Sequence, residues 1–182
     1  MRIIFQQSNH SVYSYFFSEF EDSDGQNSDV HVAKTHQFDD VLSYGKYDYI
    51  FTTRRDLRDI AASAVRRGMI NNSTTSVIEF LLRTINLEYI TWLPYSDMEI
   101  VYEDMIRNKE HVAAHIAFHI GIEIDPTLVV NAVEALQQPK KGEDHFSDTQ
   151  LHYGHLTNGI PGSYRETLTA HTVRKIEYVF YT

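Results

Sequence analysis

Short β-rich runs alternate with longer amphipathic segments, and this alternation constrains the fold more than any other feature of the chain. Strands separated by helices need crossover connections, which make the strands parallel and cover both faces of the sheet. The pattern therefore predicts a three-layer α/β fold with a central, mostly parallel sheet flanked by helices. The predicted strands are "RIIF" (2–5), "HVAKTH" (31–36), "YDYIFTTR" (47–54) and "MEIVYED" (98–104).

The segments between and after these runs carry helix signals. Ser76 and Glu79 have the spacing of a capping box, which marks a helix start. Gly121 follows an amphipathic segment and is predicted to end that helix. Irregular connections are expected at 21–29, which is acidic, and at 137–164, which is rich in glycine and proline. The predicted helices are 58–69, 77–92, 108–121 and a segment from Asp125-Pro126 to about Leu136.

Composition limits the classes of function. The 182 residues fit a single domain, which is predicted to span 1–182. A formal charge of −9 disfavours binding to nucleic acid or to an anionic membrane, because both attract cationic surfaces. The sequence has no cysteine, so disulfides and thiolate metal sites are excluded, and no apolar run approaches the roughly 20 residues that span a bilayer. A soluble, cytoplasmic protein is therefore predicted.

Polar side chains follow each predicted strand. In open parallel sheets, ligands bind beyond the carboxyl ends of the strands. These ends carry hydrogen-bond donors, an imidazole and fixed cations, which suit an anion. The residues are Gln6, Gln7 and Ser8 after the first run, Lys34, Thr35 and His36 in the second, Arg54 and Arg55 after the third, and Tyr102, Glu103 and Asp104 in the fourth.

The third of these strand ends has an informative spacing. Arg55 leaves the strand, and Ser63 follows two helical turns later. A guanidinium makes charge-assisted, forked contacts and a hydroxyl adds a neutral donor, so the pair is suited to hold one phosphate group. The alternative is that Arg55 pairs with Asp56 or Asp59 at the start of the helix.

Four segments, in the expected order, resemble the sulfotransferases that use 3′-phosphoadenosine 5′-phosphosulfate (PAPS), especially the soluble cytosolic type. "RRDLRDIAAS" resembles the 3′-phosphate motif of that family, and "VAKTH" resembles its K-T-H segment. "IVYEDM" with "IAFHIGIEI" is similar to its Y-E-D-L and F-L-G segments, and "GIPGSYRETLT" to its carboxyl-terminal G-x-x-G-x-W-[KR] segment. The resemblance implies PAPS as the cofactor and a P-loop-like version of the α/β fold.

The resemblance also assigns roles to individual residues. Arg55 and Ser63 are expected to hold the 3′-phosphate, and Tyr102 is expected to approach the adenine. His36 takes the place of the catalytic base, with Lys34 beside it. These positions together imply a site for the nucleotide and a base for the acceptor.

Two segments depart from the family pattern. The phosphosulfate loop of the family, P-[KR]-S-G-T-T-W, aligns with residues 6–12, and Gln7 replaces the cation that stabilises the leaving phosphate. Gly159 belongs to the segment that closes over the cofactor in the family, but Thr157 and Asn158 replace two cations there. The loop residues expected to bind the cofactor are Gln7, Ser8, Asn9, His10 and Ser11.

These features predict a PAPS-dependent sulfotransferase that moves a sulfuryl group to a hydroxyl or amine by in-line displacement, with His36 as general base. The acceptor is expected to be a small molecule or a carbohydrate, with no nucleic acid or membrane partner. The alternative is a decayed sulfotransferase-like module that binds a nucleotide or a protein partner, which the replaced cations favour. A P-loop kinase or NTPase is disfavoured because the sequence lacks G-x-x-x-x-G-K-[ST].

Other groupings have simpler interpretations. Three histidines repeat every four residues from His111 to His119; a zinc face is the alternative, but a packing helix is favoured and no metal site is predicted. The aromatic residues of 13–20 are expected to form a packed helix face, with an acceptor pocket as the alternative. Glu103 and Asp104 are expected to cap or pair internally rather than to act in catalysis.

Overall fold

The structure is a computed structural model that describes residues 1–16, 28–35, 38, 47–136 and 159–182. Within these residues the chain contains both short strands and helices, as predicted. A π-helical segment (Ile85–Ile90) and two 3₁₀ turns (Leu93–Tyr95 and Ser163–Glu166) complete the described regular structure. The remaining elements are α1 (Arg2–Gln7), β1 (Val12–Phe16), β2 (Val30–Lys34), β3 (Phe51–Arg54), α2 (Leu57–Arg66), α3 (Thr74–Thr84), β4 (Met98–Val101), α4 (Tyr102–Arg107), α5 (Lys109–His119), α6 (Pro126–Glu134) and α7 (Ala170–Phe180).

The chain divides into two compact units, each built from two stretches of sequence. The first unit comprises Met1–Tyr49 and Asp104–Tyr153, and the second comprises Ile50–Glu103 and Gly154–Thr182. Among the described residues, β1 pairs with β2 in the first unit and β3 with β4 in the second, and both pairs are parallel. The α/β class with parallel strands and flanking helices is confirmed, while a single domain over 1–182 stays a prediction.

The core of the second unit joins α2, α3, α7 and the segment 159–169. Leu81 and Ile176 are fully buried in it, and a side chain of this size contributes roughly 1.5–3 kcal/mol when it leaves water. This packing fixes α2 against the carboxyl-terminal part of the chain. The buried members of the cluster are Ala61, Ala62, Val77, Leu81, Tyr164, Leu168 and Ile176.

The core of the first unit is built from α1, α5 and α6. The buried residues of α5 are Ala113, Ile116 and Ala117, and α1 contributes Ile4. Helix α1 packs against α6, whose buried residue is Val129. The histidines of α5 are exposed, so this helix packs through its small and aliphatic residues as expected.

The first predicted strand is a correction, because "RIIF" lies in helix α1. The helix ends in a left-handed turn at Asn9, whose φ is 61°. The N–H groups of Asn9 and His10 donate to the carbonyls of Gln6 and Phe5 at 3.2 and 3.1 Å, which is the Schellman pattern of a helix end. The expected strand, loop and helix at the start of the chain are therefore wrong.

The predicted phosphosulfate loop at Gln7, Ser8, Asn9, His10 and Ser11 therefore lies at the end of a helix and does not follow the expected strand, while its cofactor-binding role stays a prediction. Its backbone N–H groups are engaged: Ser8, Asn9 and His10 cap α1, and Ser11 donates to Asp29 Oδ2 at 2.9 Å. A phosphate loop needs free N–H groups at the start of a helix, whereas these residues end one. The stretch that follows, Val12–Phe16, is strand β1, so Tyr13, Tyr15 and Phe16 do not form the expected helix face, whereas Phe17 and Phe20 lie outside the described residues.

Several helix boundaries agree with the sequence, and others shift. Asp125 caps α6 through Thr127 N–H, as its Asp-Pro sequence predicts, and Gly121 follows α5 with a φ of +73°. The cap of α3 is Ser73 and not Ser76, because the Ser73 side chain accepts from the N–H of Ser76. The predicted helix 77–92 continues only to Thr84 in α-helical form and then widens into the π-helical segment.

Candidate functional site

Arg55 and Tyr102 meet at the carboxyl edge of the β3–β4 sheet. Arg54 pairs in register with Val101, so the two parallel strands end side by side, and Arg55 and Tyr102 are the next residues. The guanidinium carbon of Arg55 lies 4.2 Å from the centroid of the Tyr102 ring. This is a cation–π contact, and it brings together two of the residues expected to bind the cofactor.

Two nitrogens of the Arg55 guanidinium lack hydrogen-bond acceptors in the described part of the chain. Its Nε and Nη2 atoms are buried and have no partner among the residues that the structure describes. Pairing with Asp56 or Asp59, the alternative left open by the sequence, is not observed. Leaving a buried polar group unsatisfied costs roughly 1–3 kcal/mol, and most such groups in proteins are satisfied. A phosphate oxygen is a suitable acceptor for these donors.

Tyr102 also contacts the glycine expected in the closing segment. Its hydroxyl donates to the carbonyl oxygen of Gly159 at 2.9 Å. Gly159 has a φ of +62°, which L side chains rarely adopt, and a Cβ there would lie 3.1 Å from Tyr102 Oη. Both the backbone conformation and the close approach of the phenol therefore favour glycine at this position.

Asp59 holds the next turn of the same segment. Its side chain is fully buried and accepts from the N–H groups of Gly162 and Tyr164 at 2.6 and 2.9 Å, with the Ser163 hydroxyl at 3.4 Å. Sequence reasoning missed this role. The available signal was the position of an acidic residue on the same helix as the buried alanines of α2. Aspartate is rarely buried unless it has a hydrogen-bonding partner, so this position indicated one.

Ser63 lies one helical turn after Asp59 on α2. Residues three and four apart share a helix face, so Asp59, Ser63 and Arg66 are neighbours on one side of α2. Arg66 donates to the Thr167 hydroxyl at 2.9 Å, which places this face against the carboxyl-terminal segment. Ser63 is half-buried on this face.

Arg58 fastens the start of α2 to helix α7. It forms ion pairs with Asp56 and Glu177 at 2.6 and 2.7 Å, and it lies 4.6 Å from the centroid of the Tyr164 ring. Burial tends to raise the pKa of Asp56, but the hydrogen bonds and charge of Arg58 lower it below its ordinary value. The hydrogen bond from Arg58 to Asp56 in turn raises the pKa of Arg58. This arginine is therefore committed to a structural pair.

Glu103 has a capping role at the same strand end. Its Oε1 atom accepts from the N–H of Asp56 at 2.9 Å, next to the start of α2. The expectation that Glu103 caps or pairs internally is confirmed. Asp104 lies in α4 and is exposed.

A second polar network ties the π-helical segment to the sheet. Arg54 Nε donates to Glu99 Oε1 at 2.8 Å, and the Tyr89 hydroxyl donates to the other oxygen of Glu99. Burial and the hydrogen bond to Glu99 raise the pKa of Tyr89. Burial opposes ionisation of Glu99, but the donors Tyr89 and Arg54 lower its pKa overall. Arg54 is thus paired, in contrast to its neighbour Arg55.

The expected catalytic residues belong to the first unit. Lys34 is the last residue of β2 and is half-buried. His36 lies outside the described residues, as do Thr157 and Asn158. Their roles stay predictions.

The histidine stripe of α5 is exposed to solvent. The rings of His111 and His115 have centroids 6.2 Å apart, and the ring of His119 packs on Tyr49 at 5.9 Å. Within the described ranges, no group of three or more histidine, aspartate or glutamate side chains is arranged to hold a metal ion. In the same residues, no helix combines the length and apolar character needed to cross a bilayer.

Comparison with solved structures shows the fold. The mouse sulfotransferase SULT7A1 complexed with PAP superposes with a TM-score of 0.67 over 97% of this chain and 76% of that protein, at 13% identity. Retinol dehydratase in complex with androsterone and inactive cofactor PAP gives a TM-score of 0.54 over 88% of this chain, at 18% identity. The complex of retinol dehydratase with retinol and PAP gives 0.55 over 86%, at 19% identity.

The extent of these matches differs. The chain spans 53% of the length of retinol dehydratase in either complex. No protein-family model matches the sequence, and no curated protein matches it. The shared feature is therefore the three-dimensional fold, an α/β arrangement with parallel strands and flanking helices.

Proposed function

We propose that this chain is a PAPS-dependent sulfotransferase that transfers a sulfuryl group to a hydroxyl or amine. The observation that carries the proposal is Arg55, whose buried Nε and Nη2 atoms have no acceptor among the described residues, at the carboxyl edge of a parallel sheet. The fold is that of proteins whose structures contain PAP, and Arg55 lies in the segment that resembles the 3′-phosphate motif. A phosphate would give the guanidinium the oxygens that it lacks.

The cofactor site proposed here uses residues of the second unit. Arg55 and Ser63 hold the 3′-phosphate, one as a charged fork and the other as a neutral donor. Tyr102, whose ring contacts Arg55, and Gly159, which accepts a hydrogen bond from Tyr102, lie next to the proposed phosphate position. PAPS, when bound, supplies the sulfuryl group. The residues at Gln7–Ser11 are not included, because their N–H groups cap α1 and bind Asp29.

His36 is proposed as the general base and Lys34 as a nearby cation. A neutral imidazole takes the proton from the acceptor while the acceptor oxygen or nitrogen forms its bond to sulfur and the sulfur–oxygen bond to the leaving phosphate breaks. A base in position contributes roughly a hundredfold to ten-thousandfold to the rate, and histidine titrates near neutral pH. The proposed acceptor is a small-molecule alcohol, such as those bound by retinol dehydratase, or a carbohydrate.

The binding test compares PAP with AMP, which lacks the 3′-phosphate, by calorimetric titration. Wild-type protein should prefer PAP, and Arg55→Ala should weaken PAP binding by roughly 10- to 150-fold, the loss expected for hydrogen bonds to a charged group. Arg54→Ala is the matched control, because it removes the adjacent arginine, which is paired with Glu99. Equal affinity of the wild type for PAP and AMP would contradict the proposed site.

The activity test follows labelled sulfate from PAPS to a panel of alcohols, phenols, amines and sugars. His36→Ala should lower the rate at least roughly a hundredfold while PAP affinity stays unchanged. His119→Ala, on the exposed face of α5, is the control. Selective binding of PAP without transfer to any acceptor would support the decayed module instead, and normal transfer by His36→Ala would refute the base assignment.

A further inference from the structure

Tyr102 has two directed contacts, and each uses a different part of its side chain. The ring lies under the Arg55 guanidinium at 4.2 Å, and the hydroxyl donates to Gly159 O at 2.9 Å. Tyr102 is also the first residue of α4, directly after β4, so its backbone is fixed by two regular elements. The side chain is therefore held at both ends before any ligand arrives.

Four acidic side chains of the described residues, on β4, at the start of α4 and on or next to α2, are engaged with donors other than Arg55. A guanidinium with unsatisfied nitrogens is attracted to any free carboxylate, so these other pairings keep Arg55 available. The tyrosine ring gives it a contact that neutralises no charge and occupies no N–H. The pairings are Glu99 with Arg54 and Tyr89, Glu103 with Asp56 N–H, Asp56 with Arg58, and Asp59 with Gly162 and Tyr164.

We infer that Tyr102 is a positioning residue that sets the preference for a 3′-phosphate, by holding the Arg55 guanidinium in place for it. This inference rests on the proposed function and deepens it. The family resemblance assigns the tyrosine to the adenine, but here the guanidinium covers one face of the ring and Gly159 occupies the hydroxyl. Tyr102 therefore acts on the phosphate through Arg55.

The test measures the ratio of the dissociation constants of AMP and PAP in Tyr102 variants. Tyr102→Leu removes the ring, so the ratio should fall by roughly 2- to 30-fold, the range that corresponds to one cation–π contact, while AMP affinity stays the same. Tyr102→Phe keeps the ring and should keep the ratio within about twofold, because a Phe face also attracts a guanidinium. Rescue by Phe separates positioning from a general loss of structure.

The matched control is Tyr178→Leu, because Tyr178 also has a cation over its ring, Lys175 at 5.3 Å, but it is exposed on α7. Its ratio should equal that of the wild type. Hydrogen exchange adds a second measurement: Tyr102→Phe should exchange faster at residues 159–162, because it loses the bond to Gly159.

The outcomes separate this inference from the proposed function. If wild-type protein does not prefer PAP to AMP, both fall. If the wild type prefers PAP but Tyr102→Leu keeps the full ratio, only the positioning role is refuted. An equal loss of PAP and AMP affinity in Tyr102→Leu would also refute it, because that result indicates a contact with the base and not with the phosphate site.

Discussion

Asp59 and Arg55 are charged residues with buried atoms, four positions apart in the "RRDLRD" stretch before and within α2, but their surroundings differ. Asp59 is satisfied by the N–H groups of Gly162 and Tyr164, without a cation. Arg55 has two buried nitrogens without acceptors in the described part of the chain. A buried charge is normally paired or hydrogen-bonded, so Asp59 fits a structural role whereas Arg55 fits a ligand site.

Replacing Asp59 by asparagine should destabilise the second unit. Gly162 and Tyr164 donate to different oxygens of Asp59, and an amide offers only one acceptor oxygen. We expect the free energy of unfolding in urea to fall by roughly 1–3 kcal/mol. Asp125→Asn is the control, because asparagine caps a helix as well as aspartate does. Similar losses in both variants would contradict the assigned role of Asp59.

The Asp56–Arg58 pair should make stability depend on pH in the acid range. Because the folded pKa of Asp56 is lowered, the pair stabilises the fold above the ordinary aspartate pKa of about 3.9, and this contribution is lost as the pH falls through the folded pKa. Asp56→Asn keeps the helix cap but removes the charge. The difference in unfolding free energy between wild type and variant should be roughly 1 kcal/mol at pH 7 and should shrink below pH 4. A difference independent of pH would exclude the charge as its cause.

At the scale of helices and strands, local chemistry determined what could be predicted. The Asp125-Pro126 start of α6 and the glycine after α5 follow from backbone preferences of single residues, and both were predictable. The helical conformation of "RIIF" was not predictable, because a short apolar run is compatible with either a strand or a helix. Which of the two forms depends on the element against which the run packs. Helix α1 packs on α6, which lies more than a hundred residues later.

The candidate site was predictable in its residue types but not in its contacts. Arg55, Tyr102 and Gly159 follow from the strand ends and motifs, and the structure brings them together. The role of Asp59 depends on a turn 103 residues away, which no local pattern encodes. The π-helical segment was also not predictable from the sequence, since no residue type in it specifies the wider turn.

The segment 159–169 should respond to substitution of its first glycine. Gly159→Ala places a Cβ 3.1 Å from Tyr102 Oη and keeps an unfavourable φ, whereas Gly121→Ala has the same backbone problem in open space. Both variants should lose roughly 1–2 kcal/mol of unfolding free energy from the left-handed conformation. Only Gly159→Ala should also weaken PAP binding in a calorimetric titration. Equal PAP affinity in the two variants would argue against a contribution of Gly159 to the site.

For the molecule as a whole, the net charge sets the background against which an anion must bind. A charge of −9 repels polyanions, so attraction to a phosphate has to come from a local cation. Arg54 and Arg58 are neutralised by Glu99 and by Asp56 with Glu177. Arg55 is thus the cation at this sheet edge that the described ion pairs leave for a ligand.

PAP should raise the melting temperature of the protein more than AMP does. A ligand at a concentration 100 times its dissociation constant stabilises the folded state by roughly 2.7 kcal/mol, which is about 5–11 °C for a chain of this size. The shift should decrease with added salt, because the contact is ionic. Scanning calorimetry of wild type and Arg55→Ala at two ionic strengths checks this. The same shift in both proteins would indicate binding elsewhere.

The division of the second unit into two stretches of sequence affects how it folds during synthesis on the ribosome. Asp59 precedes Gly162, one of its donors, by 103 residues. At a synthesis rate of roughly 5–20 residues per second, the carboxylate emerges roughly 5–20 s before that donor is made. Until then the nascent helix α2 carries a hydrated charge on the face that it will later bury, so completion of this unit is a late event in translation.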